Sequence, residues 1–308
     1  MRIAALATGI GVPTAGFAGL VAEVHTRAAL LKLSDGRCIT LLGSELGRQP
    51  RGISIGLAEG TSLPQFLSAN AEFAKRGGVV RFAGSALAID MRDATQWRSG
   101  IAALTFNGRS AVVASAYQTA MLALERDGRA RGLRDIAGAK LDRLSSSIRD
   151  HDLSAAERGI RDLIGLGEGK TPAGDDYLVG ICAALWSCST ARTFAAALAP
   201  KLMALAPRSG DLSALYLQEA ANGEVSERLA DVAAGICAGG SEDVVGNAVA
   251  KALSVGHSSG AVGIFGLLKG YADSTGTLFQ ASADSVLAPA FWGCSLIATL
   301  KQIAASKT

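Results

Sequence analysis

What most constrains the fold of this chain is a change of texture near Ser110. Before it, apolar residues come in short runs broken by turn residues, and after it they come in long Ala/Leu-rich segments at helical spacing. In the first part, Leu20 to His25, Ala28 to Leu33 and Arg37 to Leu42 are β-favouring, and Ser34-Asp35-Gly36 has the composition of a tight hairpin turn. Ile53 to Leu57, Val79 to Ala83 and Ala86 to Asp90 continue the pattern, while Pro64 to Lys75 is predicted as one helix. Six short strands at this spacing predict a small closed or half-closed β-barrel, with no catalytic constellation in it. In the second part the predicted helices are Ser115 to Arg126, Arg134 to Arg149, Ser154 to Ile164, Asp175 to Cys188, Arg192 to Leu205, Asp211 to Ala221, Val225 to Cys237, Glu242 to Leu253 and Ser259 to Tyr271.

The expected fold is therefore α+β: a β-rich, barrel-like domain over residues 1–110 and a helical domain over 111–308, since 308 residues exceed the usual size of a single core. Val225, Leu229, Val232, Ala233 and Ile236 fall on one stripe of a 3.6-residue period, as do Val244, Val245, Ala248, Val249 and Ala252, so these two helices pack by one face. Asn222-Gly223 and Gly239-Gly240 supply left-handed C-terminal stops. One helix differs. Tyr177, Leu178, Val179 and Ile181 to Trp186 leave no polar face, which predicts a buried central helix whose N-terminus is Gly174-Asp175-Asp176.

Composition removes several classes of function. A net charge of +3, with the densest basic stretch (Arg126 to Arg161) interleaved with acids, gives no nucleic-acid footprint, because phosphate binding needs unopposed positive charge. No run of about twenty apolar residues is present to build a transmembrane helix. Residues 2–12 make a poor signal peptide, being short and broken by Gly9, Gly11 and Pro13. Five widely spaced cysteines, Cys38, Cys182, Cys188, Cys237 and Cys294, argue for reduced thiols and a cytoplasmic protein without a zinc cluster. HExxH is absent, and neither a zincin nor a serine-hydrolase reading is expected.

The chemistry is expected at Gly165-Leu-Gly-Glu-Gly-Lys-Thr-Pro-Ala-Gly174, immediately before the apolar helix. Glycines let backbone N–H groups turn inward, and a helix N-terminus adds unsatisfied donors with partial positive charge, so Gly167, Gly169 and Gly174 form an anion cradle that Lys170 and Thr171 complete. Asp175 and Asp176 diverge by about 100° on the helix and cannot face one point in the same way. One is a candidate Mg²⁺ ligand or catalytic carboxylate while the other caps the helix; capping alone is the alternative for both. The segment is not a nucleotide-binding P-loop, because three residues stand where that loop has four and Pro172 and Gly174 follow, and no nucleotide or organic cofactor is expected. Gly256-His257-Ser258-Ser259-Gly260 is a second glycine-flanked helix start: Ser258 or Ser259 suits the N-cap, and His257 is a candidate acid, base or donor to an anion. Ser209 and Ser213, in a third loop entering a helix, complete the expected ligand contacts, with an ordinary N-cap by Ser209 or Asp211 as their alternative. Gly167 to Asp176 and Gly256 to Gly260 are expected to line one common pocket.

Gly165 to Gly180 closely resembles the signature of a bacterial family long catalogued as a domain of unknown function and associated with the AllH subunit of oxamate carbamoyltransferase. Ser213-Ala-Leu-Tyr-Leu217-Gln-Glu-Ala220-Ala-Asn-Gly223 resembles that family's Ser-x-x-x-Leu-x-x-Ala-x-x-Gly helix, and Gly256 to Gly260 its Gly-His-Thr/Ser-Ser-Gly element. Two positions depart from the pattern: Lys170 replaces an expected Leu, and Ala-Val-Gly follows Gly260 where an acid is common. The resemblance implies carbamoyl transfer, oxalurate plus phosphate giving oxamate and carbamoyl phosphate. It also implies two partners, an acyl-CoA-synthetase-like subunit and a second uncharacterised subunit. A non-catalytic binding or scaffold subunit of the same complex is the rival expectation.

Overall fold

Strand pairing in the first hundred residues closes on itself. The computed structural model describes residues 1–275, so Cys294 and the end of the expected helical domain lie outside the described residues. Nine strands are formed among them: β1 (Arg2–Gly9), β2 (Phe17–Val24), β3 (Ala28–Leu33), β4 (Cys38–Gly43), β5 (Gly52–Ile55), β6 (Glu72–Arg76), β7 (Val79–Phe82), β8 (Ala88–Asp90) and β9 (Thr95–Trp97). They pair in the order β5-β4-β3-β2-β6-β7-β8-β1, and β1 closes the ring antiparallel to β5. The short β9 continues the line of β8 along β1. Closure removes the unpaired edges that an eight-stranded open sheet would present. The interior is filled by Val21, Leu31, Leu41, Ile53, Phe73 and Ile89, as a barrel this small requires.

One expected element is overturned here. Pro64 to Lys75 is not a helix: Leu63–Gln65 is a single 3₁₀ turn, Asn70 takes a left-handed φ of 65°, and Glu72–Arg76 pairs with both β2 and β7. Glu72–Arg76 is a strand because barrel closure needs one between β2 and β7. β1 and β9 are strands that the periodicity did not predict.

Nine helices follow among the described residues: α1 (Ala111–Asp127), α2 (Arg131–Arg149), α3 (Leu153–Leu163), α4 (Ala173–Ser187), α5 (Arg192–Leu205), α6 (Asp211–Ala221), α7 (Glu227–Cys237), α8 (Glu242–Leu253) and α9 (Ser259–Thr275). The α+β expectation holds, and α4 is the buried central helix, with Tyr177, Leu178, Ile181 and Ala183 to Leu185 all inaccessible. Gly223 and Gly239 end α6 and α7 with φ values of 77° and 65°, as expected of left-handed stops. Val244 departs from the expected stripe, standing exposed on α8 while Val245 and Val249 are buried.

A second buried helix, α9, lies against α4. Ala261 to Leu268 and Tyr271 are buried, an unbroken apolar stretch with no polar face. Contact between the two helices is made by main chain. A Cβ on Gly180 would stand 2.1 Å from the Gly263 carbonyl oxygen, and one on Gly266 would stand 2.1 Å from that of Tyr177. Farther along, Gly270 meets Ala184 and Ile181. The contacts advance in the same direction on both helices, so α4 and α9 run parallel and begin at the same end of the molecule. Two helix N-termini, each carrying partial positive charge, are thereby set side by side.

The barrel meets the helices through a small apolar patch and a row of ion pairs. Leu30 and Cys38 pack on Leu215 of α6, with Ala22, Leu212 and Tyr216 around them. Arg48 donates to Glu227 from both its backbone N–H (2.8 Å) and its guanidinium Nε (2.9 Å), Arg51 pairs with Glu219 at 2.5 Å, and Glu224 accepts from the backbone N–H of Ser99 at 2.8 Å. Glu219 and Glu224 are buried, so these charges are matched before they leave water.

Candidate functional site

The glycine-rich loop is an open turn between α3 and α4. Gly165, Gly167 and Gly169 adopt φ values of 73°, 111° and 96°, a region in which a side chain is strained, and this alternation sends the chain out into solvent and back. Gly174 is needed for a different reason: its Cβ would fall 2.0 Å from the Leu163 carbonyl oxygen, so the first turn of α4 rests directly on the end of α3. Gly165, Leu166, Gly174, Asp175 and Asp176 have backbone N–H groups bonded within the protein, whereas those of Gly167 to Thr171 have no protein acceptor among the described residues. Five donors in the loop are therefore left without a partner among the described residues.

Asp175 and Asp176 part as their helical positions require. Asp175 is 1% exposed and turns toward α6, where its Oδ1 accepts the Gly165 backbone N–H at 2.9 Å. Its Oδ2 accepts from the Ser213 hydroxyl at 2.6 Å and from the Ser209 hydroxyl. The two serines expected to touch ligand are thus spent on fastening Asp175, and α6 starts without a side-chain cap from either Ser209 or Asp211. Asp176 turns the other way, toward α9. Its Oδ2 is buried without a hydrogen-bond partner. Burial pushes this carboxyl up from its ordinary 3.8 to about 7; the Ser259 and Thr171 hydroxyls beside it oppose the shift, and the Asp175 charge adds to it.

The second glycine-flanked start joins this one. The hydroxyls of Thr171 and Ser259 lie 2.8 Å apart, so the loop before α4 and the start of α9 meet. The Ser258 carbonyl accepts the Val262 N–H at 2.9 Å, as the residue ahead of a helix does, and Gly260 has no room for a Cβ because the Ala252 carbonyl oxygen of α8 would be 1.9 Å from it. His257 is exposed and its ring makes no hydrogen bond among the described residues. Its carbonyl is held by Arg129 Nη1 at 2.7 Å, and Arg129 Nη2 also grips the Leu253 carbonyl at 2.8 Å. The result is a carboxyl poised near neutrality, two hydroxyls, two helix N-termini and a fringe of free N–H groups at one end of a parallel helix pair.

Residues 163–271 match the family model described as oxamate carbamoyltransferase subunit AllH. The matched span begins at the end of α3 and finishes near the end of α9, taking in the loop, Asp175, Asp176 and both helix starts, and none of the barrel. The chain matches no curated protein and no solved structure.

Outside the AllH-matched span, the barrel reaches the site. Lys170 does not point along the loop toward the N–H fringe. Its Nζ pairs with Glu23 Oε1 at 2.8 Å, and the other Glu23 oxygen lies 3.2 Å from the His25 ring Nε2. Tyr216 of α6, packed at the barrel junction, is close enough that the Asp176 charge adds to the upward push that burial gives its phenol. Glu23, His25, Tyr216 and Arg129 carry no local sequence signal, since each reaches the site from a distant part of the chain. Among the described residues, no group of three or more His, Cys, Asp or Glu comes together that could hold a metal ion. No described helix is long and apolar enough to cross a membrane.

The spacing Gly-x-Ser-x-Gly occurs at Gly256 to Gly260 and again at Gly52 to Gly56. Neither is a nucleophile elbow. The first joins α8 to α9 and the second lies along β5, whereas the elbow is a strand-to-helix turn.

Proposed function

We propose that this chain is a carbamoyltransferase subunit that binds a small anionic carbamoyl compound at the shared end of α4 and α9, with Asp176 as its reactive carboxyl. The observation that carries this reading is the buried, unpartnered Asp176 Oδ2 beside Thr171 and Ser259. A buried carboxyl oxygen left without a partner costs stability unless something uses it. Its surroundings fit a molecule with two faces. A carboxylate accepts the N–H groups of an amide or ureido group, and the N–H fringe of Gly167 to Thr171 with the two helix N-termini takes a carboxylate or phosphate.

For oxalurate and phosphate the steps balance as follows. A phosphate oxygen of HPO₄²⁻ attacks the carbamoyl carbon, the bond from that carbon to the inner nitrogen breaks, and oxamate leaves. The departing nitrogen needs one proton and the attacking phosphate must lose one. A carboxyl that titrates near 7 can take the proton that the phosphate loses and give one to the departing nitrogen, which is the condition for efficient general acid–base work at neutral pH. Backbone donors fixed by the loop stabilise the oxyanion formed on attack. His257, exposed at the mouth, is placed to meet the anion as it enters. Were Mg²⁺ to bind here, Asp176 would hold it instead of serving as the acid–base group, and the ion would supply charge neutralisation of the phosphate. Asp175, already satisfied by three protein donors, positions α4 and the loop. The AllH match supports a place in a multi-subunit enzyme; in this reading the partners are an acyl-CoA-synthetase-like subunit and a second subunit, and the complex works in the cytoplasm.

The test is the thermal midpoint of wild type and Asp176→Asn, with and without oxalurate or carbamoyl phosphate and Mg²⁺, because a ligand that binds only the folded state raises the midpoint by mass action. The expected result is a rise in wild type that the variant loses. An equal rise in both removes Asp176 from the site. No rise in wild type favours a scaffold subunit.

A further inference from the structure

Glu23 is out of place at the edge of an anion site. It lies at the end of β2, its carboxylate is held between Lys170 of the glycine-rich loop and His25 of the turn into β3, and it is the barrel's contact with that loop. Lys170 comes one residue before Thr171, whose hydroxyl touches Ser259 beside Asp176. A lysine and a histidine from different domains thus hold one carboxylate between them at the rim of the N–H fringe, 147 residues separating the lysine from that carboxylate in sequence.

We infer that Lys170 and His25 form a phosphate-binding pair, and that Glu23 fills it in the absence of ligand as an internal stand-in that an incoming phosphate displaces. A lysine ammonium and a histidine ring N–H converging on a carboxylate present the same donors to a phosphate oxygen. Glu23 is the part that can move, because its pair with Lys170 is solvent-exposed and such pairs are weak. The barrel, outside the AllH-matched residues, would in this way set the affinity for phosphate. The inference rests on the anion-binding reading of the loop but not on Asp176 or on carbamoyl chemistry.

The experiment is a calorimetric titration of the full chain with inorganic phosphate at low ionic strength. Glu23→Gln keeps the shape and removes the competing charge, so it should bind phosphate about two- to fivefold more tightly than wild type, the range that loss of one exposed ion pair supports. Adding Lys170→Gln or His25→Gln to that variant should cancel the gain. Equal or weaker binding by Glu23→Gln, a gain that survives both second substitutions, or no phosphate binding by any of these proteins would overturn the proposal. Asp176→Asn separates this from the preceding reading: it should abolish the response to oxalurate and leave the effect of Glu23→Gln on phosphate in place.

Discussion

Replacing Asp176 by Asn should stabilise the protein, and by an amount that depends on pH. Folding raises this carboxyl from 3.8 to about 7, so between those values the folded chain holds a proton that the unfolded chain has released. Stability therefore falls as pH rises through that window and is level above it. About three pH units at 1.36 kcal/mol each give roughly 4 kcal/mol as the upper bound on what the charge costs at pH 8. Asn has a similar shape and no charge to desolvate, so the variant escapes this loss. With about 2–4 °C per kcal/mol in a chain of this size, the variant should melt on the order of 10 °C above wild type at pH 8 and only about 3 °C above it at pH 4.5. Differential scanning calorimetry in phosphate-free buffer from pH 4.5 to 8.5 measures the gap. A constant gap, or one that widens toward acid, would show that Asp176 is ionised and satisfied in the folded protein, and the argument from its burial would fall.

Asp175→Ala should act in the opposite sense, because it leaves the Gly165 N–H and the Ser209 and Ser213 hydroxyls without their acceptor in a closed setting; a loss of about 2–4 kcal/mol, read from urea unfolding, is expected. Gly266→Ala forces main chain apart where a Cβ would meet the Tyr177 carbonyl oxygen at 2.1 Å, and should cost about 1–3 kcal/mol or more while separating Thr171 from Ser259, seen as loss of any ligand-induced rise in the midpoint.

The helical half was nearly all legible in the sequence, and the site only partly. Arg192–Leu205, Asp211–Ala221 and Glu242–Leu253 are helices over the very residues that the sequence predicts; Asn222-Gly223 stops the second and the stripe of Val245, Val249 and Ala252 marks the third. Glu72–Arg76 was misread because its state is decided by partners on either side, β2 and β7, and not by its own pattern. In the site, the 100° between neighbouring helical positions was enough to say that Asp175 and Asp176 part company. Which one is fully satisfied and which keeps an unpartnered oxygen depends on Ser209 and Ser213, at and just inside the start of α6, and on Thr171 and Ser259, and no local rule supplies that. Glu23 and His25 were passed over for the same reason, since a strand end gains meaning only from what is folded against it.

In the proposed site, the glycine seam between α4 and α9 would also decide how a ligand gets in. Helices whose backbones touch at Gly180, Gly263 and Gly266 have no side chains to yield, so their starts cannot spread without losing contact along the whole seam. The distance between Asp176 and Ser259 is consequently a fixed gauge rather than an adjustable jaw. Any opening for a ligand would then fall to the loop at residues 165–171, which touches α9 through Thr171 and is fastened to the barrel by Lys170. A substrate too large for that gauge meets a wall made of main chain, and no exchange of surface side chains would widen it.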